Sequence, residues 1–117
     1  MASQLFERAP VPMAATEGAR HIVCYANPAF CRLADKSTEQ VLGKSLCEIL
    51  PHERDCMTLL DRVYHSGNAE SHTTEEHDEP HPVLRSYTIW PVNADEGPAG
   101  IIIQVTETAR LHMEAIA

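Results

Sequence analysis

The sequence predicts an α+β fold: an antiparallel sheet with helices on one face. Three observations point there. Strand-like segments come first as a pair and last as a run of three, with helical segments between them, an order that suits a sheet with a helical crossover. The longest helical segment has one apolar face, with Cys56, Leu59, Leu60 and Val63 spaced i, i+3, i+4, i+7. The 117 residues, 44% of them hydrophobic, suffice for one core and are too few for two.

Taken in order, residues 4–9 suit a short helix, stopped by Pro10 and Pro12 because proline has no N–H to donate. Residues 13–16 read as a weak strand ending at Gly18, and residues 21–26 as a better one, richer in β-formers. Asn27 before Pro28 is a helix start: asparagine caps free N–H groups, and proline at the first helical position loses no bond. The helix over 28–34 buries Phe30 and Leu33. Ser37 or Thr38 caps a second short helix reaching Leu42, and Gly43 stops it. Leu46, Ile49 and Leu50 lead to Pro51 and to the long helix over 52–66. Glu53 and Asp55 favour its N-terminus, His65 its C-terminus. A polar strand over 69–76 follows, then a long one over 83–92, a turn at Asp95-Glu96-Gly97 and the most hydrophobic strand over 101–106. Residues 108–117 open a helix with no partner inside the chain.

Three segments resemble one family. Tyr25-Ala26-Asn27-Pro28-Ala29-Phe30 resembles the second strand and first helix of Per-Arnt-Sim (PAS) domains. Gly43-Lys44-Ser45-Leu46 followed by Ile49-Leu50-Pro51 resembles their glycine turn and the segment before the long helix. Gln104-Val105-Thr106-Glu107 is similar to the motif closing their last strand, with Gln104 where the family usually carries Asp. The likeness covers residues 5–110. It implies a five-stranded antiparallel sheet cupping a pocket under the long helix. It also implies a sensory or relay domain upstream of an output domain, as in histidine kinases and diguanylate cyclases. The expected organisation is an N-terminal helical segment (1–10), the PAS domain (11–107) and the start of a signalling helix (108–117).

Charge narrows the partners. A net charge of −8 repels phosphate backbones and anionic membrane surfaces, so neither nucleic acid nor membrane contact is expected. No apolar run approaches the ~18 residues of a membrane span, and the first residues lack a basic flank and an apolar stretch. Cys24, Cys31, Cys47 and Cys56 contain no Cys-x-x-Cys pair and read as reduced, mostly buried thiols. A cytoplasmic location follows as the expectation.

Catalytic and cofactor motifs fail on spacing. Gly43-Lys44-Ser45 ends like a phosphate-binding loop, but Thr38 stands where that loop needs glycine. His52-Glu53 opens like a zinc-protease helix, but Cys56 replaces the second histidine. No Gly-x-Ser-x-Gly elbow exists, so no enzyme activity is expected. His72, His77 and His81 lie among Glu75, Glu76, Asp78 and Glu79, donors that suit a transition metal. Their setting beside Pro80 and Pro82 reads better as a solvated connection, and no metal is expected. Flavin-binding light-oxygen-voltage relatives place a cysteine where this chain has Leu46, and haem-binding ones a histidine near the position of Cys56. Neither flavin nor haem is expected, and a small organic ligand is left open.

The pocket candidates are Phe30, Leu33, Cys56, Leu60, Ile102 and Gln104, the last two by family pattern. Alternation along the strand then sends Ile101, Ile103 and Val105 to the outer face. An apolar outer face needs cover, so these residues with Leu5 and Phe6 are the candidates for a homodimer interface. Thr106 and Glu107 are the candidates for coupling to an exit helix, Thr106 as its cap. The reading that results is a PAS sensory or relay domain of a signalling protein such as a histidine kinase, joined to an effector in the same polypeptide. The alternative is a ligand-free dimerisation module of a diguanylate cyclase or transcription regulator.

Overall fold

In a computed structural model of the chain, nine elements are described within residues 11–50, 56–77 and 82–109. They run β1 (Met13–Glu17), β2 (Ile22–Ala26), α1 (Pro28–Ala34), α2 (Thr38–Val41), α3 (Leu46–Ile49), α4 (Cys56–Ser66), β3 (Glu70–His77), β4 (Pro82–Ala94) and β5 (Gly97–Ala109). All strand pairs are antiparallel, in the spatial order β2-β1-β5-β4-β3. The last strand in sequence is therefore the middle strand of the sheet. This is the α+β, five-stranded fold that the element order and the family resemblance lead one to expect.

Local signals explain how the chain leaves the first hairpin. Asn27, fully buried, holds an extended backbone and accepts from the N–H of Phe30 through Oδ1 at 2.9 Å. The same oxygen accepts from the N–H of Met13 at 3.0 Å, and Nδ2 donates to the Val11 carbonyl at 2.9 Å. One side chain thus caps α1 and ties it to the entry of β1. Ser37 and Gln40 form a reciprocal capping box at α2. The open edge of β2 is covered by its own chain: Val23 N–H donates to Lys44 O and Gly43 N–H to Val23 O, each at 2.9 Å. Covering an edge this way removes a template for unwanted pairing.

Register decides which side chains face the helices, and it overturns the expected orientation of β5. Ile101, Ile103 and Val105 are at most 1% exposed and belong to the core. Ile102 and Gln104 are half-buried on the opposite face. Cross-strand partners share a face, and Ile103 lies opposite Ala14 of β1 and Ile89 of β4, both buried. Ile102 and Gln104 are therefore not pocket residues, and Ile101, Ile103 and Val105 do not form an outer interface. Because side chains alternate, one wrong parity moves a whole strand's set to the other face.

The end of β5 also differs from expectation. The strand continues to Ala109, and Thr106 and Glu107 lie within it, opposite Ser86 and Arg85 of β4. Thr106 therefore caps no helix at that point, and the boundary expected between 107 and 108 falls inside a strand. Pairing with a 13-residue β4 extends β5 past the apolar run that first marks it. Leu5 and Phe6, residues 108–117 beyond Ala109, and the Asp78, Glu79 and His81 group lie outside the described residues.

Candidate functional site

The cup between sheet and helices is built from apolar side chains. Its sheet wall is Ala14, Val23, Tyr87, Ile89, Ile101, Ile103 and Val105, and its helical wall includes Phe30, Val41, Leu46, Leu60 and Val63. Alternation on the strands and the i, i+3, i+4 spacing on α4 aim both sets at one another. Phe30, Val41, Leu46 and Val63 are 0% exposed, and Leu60 is 1%. Of the expected pocket residues, Phe30 and Leu60 meet in this cluster, and Leu33 packs half-buried against it. The side chain of Cys56 lies outside the described residues.

Surface hollows lie elsewhere. One of about 470 Å³, beside α2 and α3, is lined by Lys36, Lys44, Glu39, Glu48, Gln40 and Ile49. Two cations and two anions on one rim leave no net field to hold a charged ligand. Among the described residues no group of three His, Cys, Asp or Glu side chains is placed to bind a metal. Cys24 is exposed, with its thiol pushed up by partial burial and then by Glu17, the reverse of what a reactive thiolate needs.

A polar cluster that periodicity does not announce lies at the closed end of the β1–β2 hairpin. His21 is 0% exposed with a left-handed φ of 58°, a conformation that disfavours side chains by about 1–2 kcal/mol. Its Nε2 lies 2.7 Å from Oδ1 of Asp61 on α4. A carboxylate only accepts, so Nε2 is the donor. Nδ1 is buried without a partner. The ring meets Tyr64 edge-on at 5.7 Å, and the Tyr64 hydroxyl donates to the Pro98 carbonyl at 3.3 Å. Next to Asp61 on α4, Arg62 grips Glu70 of β3 with two bonds of 2.6 and 2.7 Å. The Arg62 hydrogen bonds hold the Glu70 carboxyl below its ordinary range. Stability from that pair is present above the ordinary carboxylate range and is lost as pH falls through the lowered value. Arg62 is exposed and Glu70 partly so, and solvent screens the pair.

The sheet order, the helical wall and the cup are the geometry of one family. A family model described as the PAS fold matches residues 1–84, more than two thirds of the chain. The chain is a PAS domain. No curated protein matches it in sequence. Among solved structures it is similar to the PAS domain of nitrogen regulation protein NR(II) from Vibrio parahaemolyticus, at 16% identity and a TM-score of 0.70, covering 92% of this chain and 98% of that one. It is similar to a sensory box sensor histidine kinase from Vibrio cholerae, at 13% identity and a TM-score of 0.69, covering 92% and 87%. It is also similar to the Vibrio cholerae VqmA dimer, a LuxR-type receptor, at 17% identity and a TM-score of 0.74, covering 92% of this chain and half of that one. At these identities the likeness shows the fold. PAS domains are sensory modules of signalling proteins, and no helix among the described residues of this one is long and apolar enough to cross a membrane.

Proposed function

We propose that this PAS domain relays a conformational change to an output domain, of the histidine-kinase type, in the same polypeptide. One observation carries the reading: β5 is at once the last strand and the middle one, paired with β1 on one side and β4 on the other. A change in the helices or at either neighbouring strand reaches β5, and the chain beyond Ala109 continues from it. The cup residues Phe30, Leu46, Leu60 and Ile103 pack on one another, which favours a relay without a cofactor: neither flavin nor haem is part of this reading. The sensor kinase among the similar structures supports the choice of output.

Two buried valines test it. Val105 on β5 and Val41 on α2 are both 0% exposed, so Val→Ala removes the same volume from each. With the chain joined to a histidine kinase output, Val105→Ala shifts autophosphorylation several-fold and Val41→Ala leaves it near wild type. Equal shifts, or none, would discard the relay.

The relay is proposed to work as a homodimer. On the outer face Met13, Trp90 and Ile102 are half-buried side chains of three neighbouring strands, which transfers the expected interface from Ile101, Ile103 and Val105 to the opposite parity. Beyond them the face turns polar, with Thr73 hydrogen-bonded to Ser86 at 3.0 Å. Light scattering at tens of micromolar is expected to give twice the monomer mass, reduced to one by Trp90→Glu; a monomeric wild type would refute it.

A further inference from the structure

We propose that His21, Asp61 and Tyr64 form a latch that fixes α4 to the start of β5 and opens as a unit separate from the rest of the sheet. The inference rests on the relay reading for its signalling meaning, and on geometry for its existence. Four ties converge on this end of the sheet. His21 Nε2 donates to Asp61 on α4, and the Tyr64 hydroxyl, one turn further on, donates to Pro98 at the start of β5. The Leu46 N–H donates to the His21 carbonyl at 2.9 Å, which joins α3, and the Gly18 N–H donates to the Ala99 carbonyl at 2.9 Å, which joins β5 again.

Two features make the arrangement bistable rather than merely rigid. A non-glycine residue in the left-handed region and a buried, unpartnered Nδ1 both burden the closed state. Asp61 holds it closed, yet its side chain is 46% exposed, so water takes over its hydrogen bond as soon as α4 shifts. Once Asp61 leaves, the imidazole has no polar partner for either nitrogen, and His21, the buried residue of the 18–21 turn, loses the contact that keeps it inside. Displacement of α4 is thereby converted into release of the Gly18–Ala99 tie at the origin of the central strand.

Amide hydrogen exchange on the 117-residue chain tests the latch. Asp61→Ala is expected to speed exchange at Gly18 and Leu46 by about tenfold or more while Ser86 and Thr88 keep wild-type rates. Asp61→Asn keeps an oxygen acceptor for Nε2 and is expected to stay within about threefold of wild type. His21→Gly relieves the backbone strain but removes the bridge, and is expected to reproduce the local increase at Gly18. A uniform rise at all four amides, or wild-type rates at Gly18 and Leu46 in both Asp61→Ala and His21→Gly, would overturn the proposal. Either result leaves the Val105 and Val41 comparison untouched, and equal kinase outputs there would discard the relay while leaving a local opening seen by exchange intact.

Discussion

Gly100→Ala is expected to lower the melting temperature by about 12 °C, corresponding to about 3 kcal/mol. Gly100 is buried in β5 and lies opposite Glu17 of β1 and Val92 of β4. A methyl group there would sit 2.0 Å from the Thr16 carbonyl oxygen and 3.0 Å from its carbon. Both are backbone atoms of a paired strand, so no side-chain rotation relieves the clash. Either β1 moves away, which lengthens the bonds it makes to β5, or β5 bends at its start. The bond from Gly18 N–H to Ala99 O, one residue away, is the first to suffer. Thermal unfolding followed by circular dichroism measures the loss. A variant melting within about 2 °C of wild type would mean that β1 gives way freely and that the close approach carries little constraint.

Ile103→Ala is expected to cost about 3–4 kcal/mol, and Ile102→Ala about 1 kcal/mol or less. The two residues are neighbours of identical chemistry, and only their face differs. Ile103 is 1% exposed between Ala14 and Ile89, so its loss leaves a cavity that the packed cup cannot fill. Ile102 is half-buried opposite Ala15 and Trp90 on the outer face, where solvent or a shifted indole replaces the lost methyls. Denaturant titration of both variants separates the cases. Equal costs, or a larger cost at Ile102, would contradict the orientation of the central strand. Because the outer face is also the proposed dimer interface, the Ile102 measurement belongs at low protein concentration, where association does not add to its apparent cost.

Features whose causes lie within a few residues are legible in the sequence. Asn27-Pro28 announces α1 because a cap and a proline act on the next three residues, and the structure places the helix at Pro28–Ala34. Ser37 or Thr38 announces α2 in the same way, and the structure takes Ser37 as the cap. The apolar spacing of Leu59, Leu60 and Val63 identifies the buried face of α4, since a helix repeats its face every few residues whatever it packs on. The order of elements, with three local motifs in the right succession, was enough for the family. The remaining features depend on pairing between distant segments. Ile101-Ile102-Ile103 has no alternation to read, so the face of β5 depended on its pairing with Ala14 and Ile89. The length of β5 followed from that of β4, which the chain meets only after folding back at Gly97. His21 looked like one more residue of a strand, and its role depends on Asp61, 40 residues away. Nothing near Gly100 in sequence signals the Thr16 carbonyl that excludes a side chain there. Caps and periodicity act through neighbouring residues, whereas the facing of a strand and the partner of a buried imidazole depend on register between segments that only the assembled sheet brings together.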